Sequence, residues 1–115
     1  MMVGLTLDEY QDRASMTAVY PNRGSTRGFI YTALGCAGEG GEIAEHAKKL
    51  LRDDDGVMSN ERRNKVFAEL GDALWYISQA AYELGVTLED VAQYNLAKLA
   101  RRQEQDLLHG EGSAR

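Results

Sequence analysis

The run LGCAGEGGEIAEHAKKLL, residues 34–51, is the least helix-like part of a chain whose pattern is otherwise helical. Ile43, Ala44, Ala47, Leu50 and Leu51 recur at three- and four-residue steps, the period of one helix face. Gly38, Gly40 and Gly41 precede them, each costing roughly 1 kcal/mol against alanine in a helix interior. The same stretch carries Glu39 and Glu42 three residues apart. A surface helix gains nothing from glycines beside these acids, whereas close approach of a neighbouring helix, a backbone or a ligand needs small residues. Simple relief of packing against another helix, with no ligand, is the blander account of the same glycines.

Working outward, four helices follow. The first begins at Thr6, where Thr6-x-x-Glu9 fits a capping box, and should end near Tyr20. YPNRGSTRG, residues 20–28, is a loop, because the residue before Pro21 avoids the helical region and Asn22 and Gly24 supply turn chemistry. The second helix runs from about Thr26 to Arg52 and can bend at its glycines. DDDGVMSN, residues 53–60, ends it, and Ser59 or Asn60 caps a third helix from about Asn60 to Leu84. Val66, Phe67, Leu70, Ala73, Leu74, Ile77, Ala81 and Leu84 should form its buried face. Thr87-x-x-Asp90 opens a fourth helix with Leu88, Val91, Ala92, Leu96 and Leu99 as its stripe, fraying after Arg102. The expectation is one all-α, four-helix domain over residues 1–105, with a disordered tail over 106–115.

Composition narrows the function. With 115 residues, 43% apolar and 27% charged, there is material for one domain. A net charge of −5 argues against nucleic-acid or membrane-surface partners, which reward a basic face. The single cysteine, Cys36, rules out an internal disulfide and fits a reducing compartment. No apolar run approaches the roughly 20 residues of a bilayer span, and no leader pattern opens the chain. A cytoplasmic protein is expected.

Helical wheels place the acids. On the second helix Glu39, Glu42, His46 and Lys49 share one stripe; on the third, Glu69, Asp72, Tyr76, Gln79 and Glu83 do the same. If the helices pack side by side, Glu39, Glu42, Glu69 and Asp72 can meet. Such a cluster repels itself unless a carboxyl stays protonated or a cation neutralises it. Oxygen-only ligation favours Mg²⁺, or Mn²⁺ in its place, and Mg²⁺ sites commonly take substrate phosphates as remaining ligands. Solvated surface charge is the competing reading of these pairs.

Glu39-x-x-Glu42, a gap through residues 43 to 68, then Glu69-x-x-Asp72 resembles the motif of the MazG-like all-α nucleoside triphosphate pyrophosphohydrolases. GEGGEIAEHAKKLL (38–51), ELGDALWYI (69–77) and LGVTLEDVAQYNLAKLARR (84–102) resemble family segments in the expected order, so the likeness spans roughly residues 30 to 102. The resemblance implies a four-helix protomer, Mg²⁺ dependence, and hydrolysis of (deoxy)nucleoside triphosphates to monophosphate and pyrophosphate. It makes Glu39, Glu42, Glu69 and Asp72 the catalytic metal ligands; a glutamate not fully occupied by metal can then take the attacking water's proton, and Glu39 is the choice. Asn95 and Lys98 resemble the family's Asn-x-x-Lys segment, which implies contact with substrate phosphate or sugar. The first helix and the 20–28 loop carry no family signature.

Position adds further candidates. Lys49 lies on the carboxylate stripe with Lys48 beside it; either can contact phosphate or form an exposed salt bridge. Tyr76, one turn past Asp72, can line a nucleotide pocket, whereas Trp75 points about 100° away and suits the core or a subunit interface. Arg23 and Arg27 can close over a triphosphate or stay solvated. ALWYISQAAY, residues 73–82, is apolar around most of its circumference, which favours a homodimer or a dimer of dimers (a homotetramer), as the resemblance also implies. Three other readings compete: a non-catalytic helical oligomerisation or regulatory protein, a phosphoribosyl-ATP pyrophosphohydrolase, and a di-iron bundle. The last needs Glu-x-x-His, and Glu42 and His46 are four apart.

Overall fold

The computed structural model describes residues 4–105 as four helices, α1 (Leu7–Ser15), α2 (Thr26–Arg52), α3 (Asn60–Glu83) and α4 (Leu88–Glu104), with no strand among the described residues. The tail expected over 106–115 lies outside them. Thr6, Ser25, Ser59 and Thr87 each begin a helix by accepting a hydrogen bond from a first-turn backbone N–H. At Thr87 the capping box is complete, since its own N–H donates to Asp90 at 3.0 Å. Asp thus does the work usual for Glu or Gln there. α2 stays helical through Gly38, Gly40 and Gly41.

α1 is shorter than its pattern suggests, ending at Ser15 rather than near Tyr20. The Thr17 hydroxyl turns back to donate to the Ala14 carbonyl at 2.7 Å. Trp75 Nε1 donates to the same carbonyl at 3.2 Å and to Thr17 Oγ1 at 2.9 Å. Those bonds occupy the acceptor that a continuing helix would use. Tertiary contact with α3, invisible in local sequence, ends α1.

α2 and α3 pack on each other as an antiparallel pair, and α1 and α4 pack on α3 and on one another; α2 makes no helix contact with α1 or α4. Along α2 the buried or half-buried positions include Gly28, Thr32, Gly35, Glu39, Ile43, His46 and Leu50; along α3 they include Arg62, Val66, Glu69, Ala73, Tyr76, Ala80 and Glu83. Both series step by three and four, which defines a helix-helix seam. Of the four expected carboxylates, Glu39 and Glu69 lie in the seam and Glu42 and Asp72 are exposed beside it.

That placement corrects the expected core. Of the apolar face assigned to α3 only Ala81 is buried, while Phe67 is 68% exposed and Leu70, Leu74, Ile77 and Leu84 are also exposed. On α4, Leu88 is buried but Val91, Leu96 and Leu99 are exposed. Fully buried positions are instead polar: Thr32, Ser78 and Gln79. Gln11 bridges elements there, its amide donating to the Ser78 carbonyl at 2.9 Å and its oxygen accepting from Leu88 N at 3.0 Å. Each buried polar group so paired avoids a desolvation penalty of about 1–3 kcal/mol.

The glycines also need correction. Nothing lies within 4 Å of a Cβ built at Gly38, Gly40 or Gly41, so no protomer atom needs their smallness. Close approach occurs one and three turns earlier. A Cβ on Gly35 would stand 2.2 Å from the Tyr76 ring, and one on Gly28 2.6 Å from both the Asn22 carbonyl and the Glu83 carboxylate. Gly35→Ala should therefore destabilise the fold by about 1–3 kcal/mol, as overpacking does. Gly40→Ala should be neutral or raise the protomer's stability by up to about 1 kcal/mol. Urea unfolding of both variants checks the ordering.

Glu83 ties the 20–28 loop to α3. Its carboxylate accepts from Gly24 N at 2.9 Å, Ser25 N at 3.1 Å and the Tyr20 hydroxyl at 2.5 Å. Burial works against the Glu83 charge, but the hydrogen bonds from Tyr20, Gly24 and Ser25 and the nearby Arg23 outweigh it and hold its pKa below 4.5. The stabilisation is therefore present above pH 4.5 and lost as pH falls through the lowered pKa. Burial, helped by Glu83, pushes Tyr20 up to about 12. Neutral Tyr20 favours the fold below its ordinary 10.0, and that advantage fades as pH rises through about 12. The stability gap between wild type and Glu83→Gln should be constant near neutrality and shrink below pH 4.5, read from melting temperatures across pH.

Candidate metal centre and cleft

Facing turns of α2 and α3 bring three of the four expected carboxylates together. Glu39, Glu69 and Asp72 each offer an oxygen within 4.8 Å of the others. Glu39 sits on α2, and Glu69 and Asp72 are one turn apart on α3, so the antiparallel seam makes the cluster. Glu42 is exposed and outside this group, although its charge still acts on Glu39. A shared hydrogen bond with Glu69, burial, and the charges of Asp72, Glu69 and Glu42 all push the Glu39 pKa upward. Glu39 Oε2 is buried without a hydrogen-bond partner. A buried, unpaired carboxylate oxygen among like charges is unfavourable unless a proton or cation joins it.

A cleft of about 360 Å³ opens from the cluster, lined by Thr17, Glu39, Asp72, Trp75 and Tyr76. Two of these lining residues, Trp75 and Tyr76, are aromatic and belong to a larger aromatic cluster. Tyr20 stacks on Tyr31 with centroids 5.3 Å apart, meets Trp75 edge-on at 6.2 Å, and Trp75 meets Tyr76 edge-on at 5.1 Å. Tyr76 lines the cleft as its position suggests. Trp75, expected in a core or interface, is half-buried and lines it too. Its indole N–H is held by the Ala14 carbonyl and the Thr17 hydroxyl.

The remaining candidates separate. Lys48 pairs with Glu45 at 2.9 Å on the surface, and Lys49 is half-buried on the seam side of α2. Asn95 and Lys98 lie on α4, which does not touch α2, and neither lines the cleft. Arg23 neither stays solvated nor faces the cluster: it donates to the Tyr20 hydroxyl at 3.0 Å and to Gln79, with its guanidinium 4.0 Å from the Tyr82 ring centroid. Arg27 is exposed. Sequence reasoning missed Thr17, Tyr20 and Tyr31. A signal existed for Tyr31, which stands two turns before Glu39 with Gly35 midway; none marked Thr17.

Among the described residues no helix is long and apolar enough to cross a membrane. No solved structure matches the chain. It is 46% identical over 112 residues to the Gene 37 protein of Mycobacterium phage L5, covering 95% of this chain and 98% of that one. Residues 30–106, which include all four sequence-predicted carboxylates, match the model of the MazG nucleotide pyrophosphohydrolase domain, and the chain belongs to that family.

Proposed function

We propose that this protein hydrolyses (deoxy)nucleoside triphosphates to nucleoside monophosphate and pyrophosphate with Mg²⁺ or Mn²⁺, in the cytoplasm. One observation carries the reading: three carboxylates from two helices converge, Glu39 among them with a buried, unpartnered oxygen, beside a cleft that Trp75 and Tyr76 help to line. This donor set, all hard oxygen, fits such an ion, held by Glu39, Glu69 and Asp72 with Glu42 able to join by side-chain rotation. When bound, the ion supplies charge stabilisation at phosphoryl oxygens and a more acidic water.

The chain's own groups do the rest. Glu39, with one oxygen free of protein partners, is placed to take the proton of the attacking water. Tyr76 and Trp75 offer ring surface to the base or sugar, and Lys49 or Lys48 offers charge to phosphate. Asn95 and Lys98 do not line the cleft within one protomer, so their proposed contact with substrate is supplied by a second copy. Assembly as a homodimer or homotetramer is supported by the uncovered apolar stripes, Phe67, Leu70, Leu74 and Ile77 on α3 and Ile30 and Leu34 on α2.

Incubating the protein with Mg²⁺ and the eight common (d)NTPs, dUTP and oxidised variants, while following pyrophosphate, tests the activity. At least one nucleotide should turn over, and Asp72→Asn or Glu69→Gln should lower the rate about a hundredfold or more with helix content retained. Absence of both turnover and metal-dependent nucleotide binding would leave the non-catalytic oligomerisation reading. A substrate panel that includes phosphoribosyl-ATP separates the related pyrophosphohydrolase.

Assembly has its own check. Sedimentation of the wild type should give a dimer or tetramer, and Phe67→Glu should shift it toward monomer. A monomeric wild type at tens of micromolar would refute the shared site.

A further inference from the structure

A polar chain leads from the α2–α3 loop to the carboxylate cluster. Arg62 Nε donates to Asp54 Oδ2 at 2.8 Å, Arg62 Nη1 stands 3.0 Å from His46 Nδ1, and His46 Nε2 lies 3.9 Å from Glu69 Oε1. The side chains of both Arg62 and His46 are 13% exposed, so these contacts are largely shielded from water. Neither Arg62 nor Asp54 belongs to the cluster or lines the cleft.

A guanidinium carries N–H donors only and does not give up its proton. His46 Nδ1, facing it, must therefore present a lone pair, and the single ring proton falls on Nε2, the nitrogen that faces Glu69. We infer that Arg62 is a positioning residue: by fixing the His46 tautomer it aims an N–H, rather than a lone pair, at Glu69 and so orients that carboxylate for a divalent cation. The alternative tautomer would set a lone pair against a carboxylate oxygen. Asp54 holds the guanidinium fork in place and balances its charge. His46 thus orders Glu69 while leaving its negative charge for the ion, which an arginine in direct contact with Glu69 would consume. Partners of this kind behind a metal ligand typically govern metal affinity by 10–100-fold. A separation of 3.9 Å exceeds a hydrogen bond, and such contacts commonly tighten when the site is loaded.

The inference rests on the proposal that Glu69 is a metal ligand, and Mn²⁺ titration of the full chain without nucleotide separates the two. Wild type should bind Mn²⁺; failure to bind would remove the metal reading itself. Arg62→Met should weaken binding about tenfold, and Arg62→Lys, which restores a donor, should stay within about threefold of wild type. His46→Gln keeps an amide N–H for Glu69 and has no tautomer to set, so adding Arg62→Met to it should cost less than about threefold. Equal losses in both backgrounds, or wild-type affinity in Arg62→Met, would overturn the role of Arg62. Nitrogen-15 NMR of the unmutated imidazole, assigned through His46→Gln, gives a readout independent of variant folding. The Nε2–H tautomer is expected, and an Nδ1–H tautomer would sink the inference.

Discussion

The antiparallel contact between α2 and α3 is the constraint on which everything else depends, and it is a polar one. Glu39, His46, Glu69, Tyr76 and Glu83 all lie in or along the seam, where a bundle would ordinarily place leucine. Two glycines make it possible: Gly28 admits the Glu83 carboxylate and the Asn22 carbonyl, and Gly35 admits the Tyr76 ring. The apolar residues that such a seam displaces have not vanished. They stand on the outer faces of α2 and α3, with Leu34 and Phe67 both 68% exposed. A protomer with Glu39 and Glu69 in its seam and these hydrophobes outside leaves apolar surface uncovered, which is what the proposed association would bury.

This inversion explains how far the sequence could be read. Helix positions came through because caps are local: Ser25, Ser59 and Thr87 each satisfy an N–H within one turn, and no distant residue is needed. The convergence of Glu39 with Glu69 and Asp72 was legible because spacing along two helices fixes which residues share a face. Which face turns inward was not. Amphipathicity marks an apolar face without saying what covers it, and within one protomer Phe67 and Leu70 do not face the core. The end of α1 was hidden for another reason, since it is set by Trp75, some sixty residues away.

Glu83 and Glu39 show why carboxylates on matching stripes need not share a task. Glu83 meets two backbone N–H groups and a tyrosine hydroxyl, and burial is outweighed, so its charge is favoured and it fastens a loop. Glu39 meets other carboxylates, and its charge is disfavoured. A group satisfied by the protein has no use for a ligand, whereas a group the protein leaves in deficit has a reason to bind one. This criterion supports Glu39 and its neighbours as the proposed site, whereas Glu83, though on the same α3 stripe as Asp72, fastens the 20–28 loop.

The cleft divides along the same line as the family match. All the clustered carboxylates fall within residues 30–106, together with Tyr31, Trp75 and Tyr76. Thr17 and Tyr20 fall before it, yet Thr17 lines the cleft and Tyr20 packs between Tyr31 and Trp75. The proposed phosphate chemistry thus sits in the part shared with the family, and Thr17, part of the cleft lining, comes from a segment before it. Tyr20 is itself held by Glu83, so the loop anchor and the aromatic cluster that Trp75 joins are one construction. On the proposed function, discrimination among nucleotides would then be tuned in part through the α1–α2 connection, a segment outside the two helices that carry Glu39, Glu69 and Asp72.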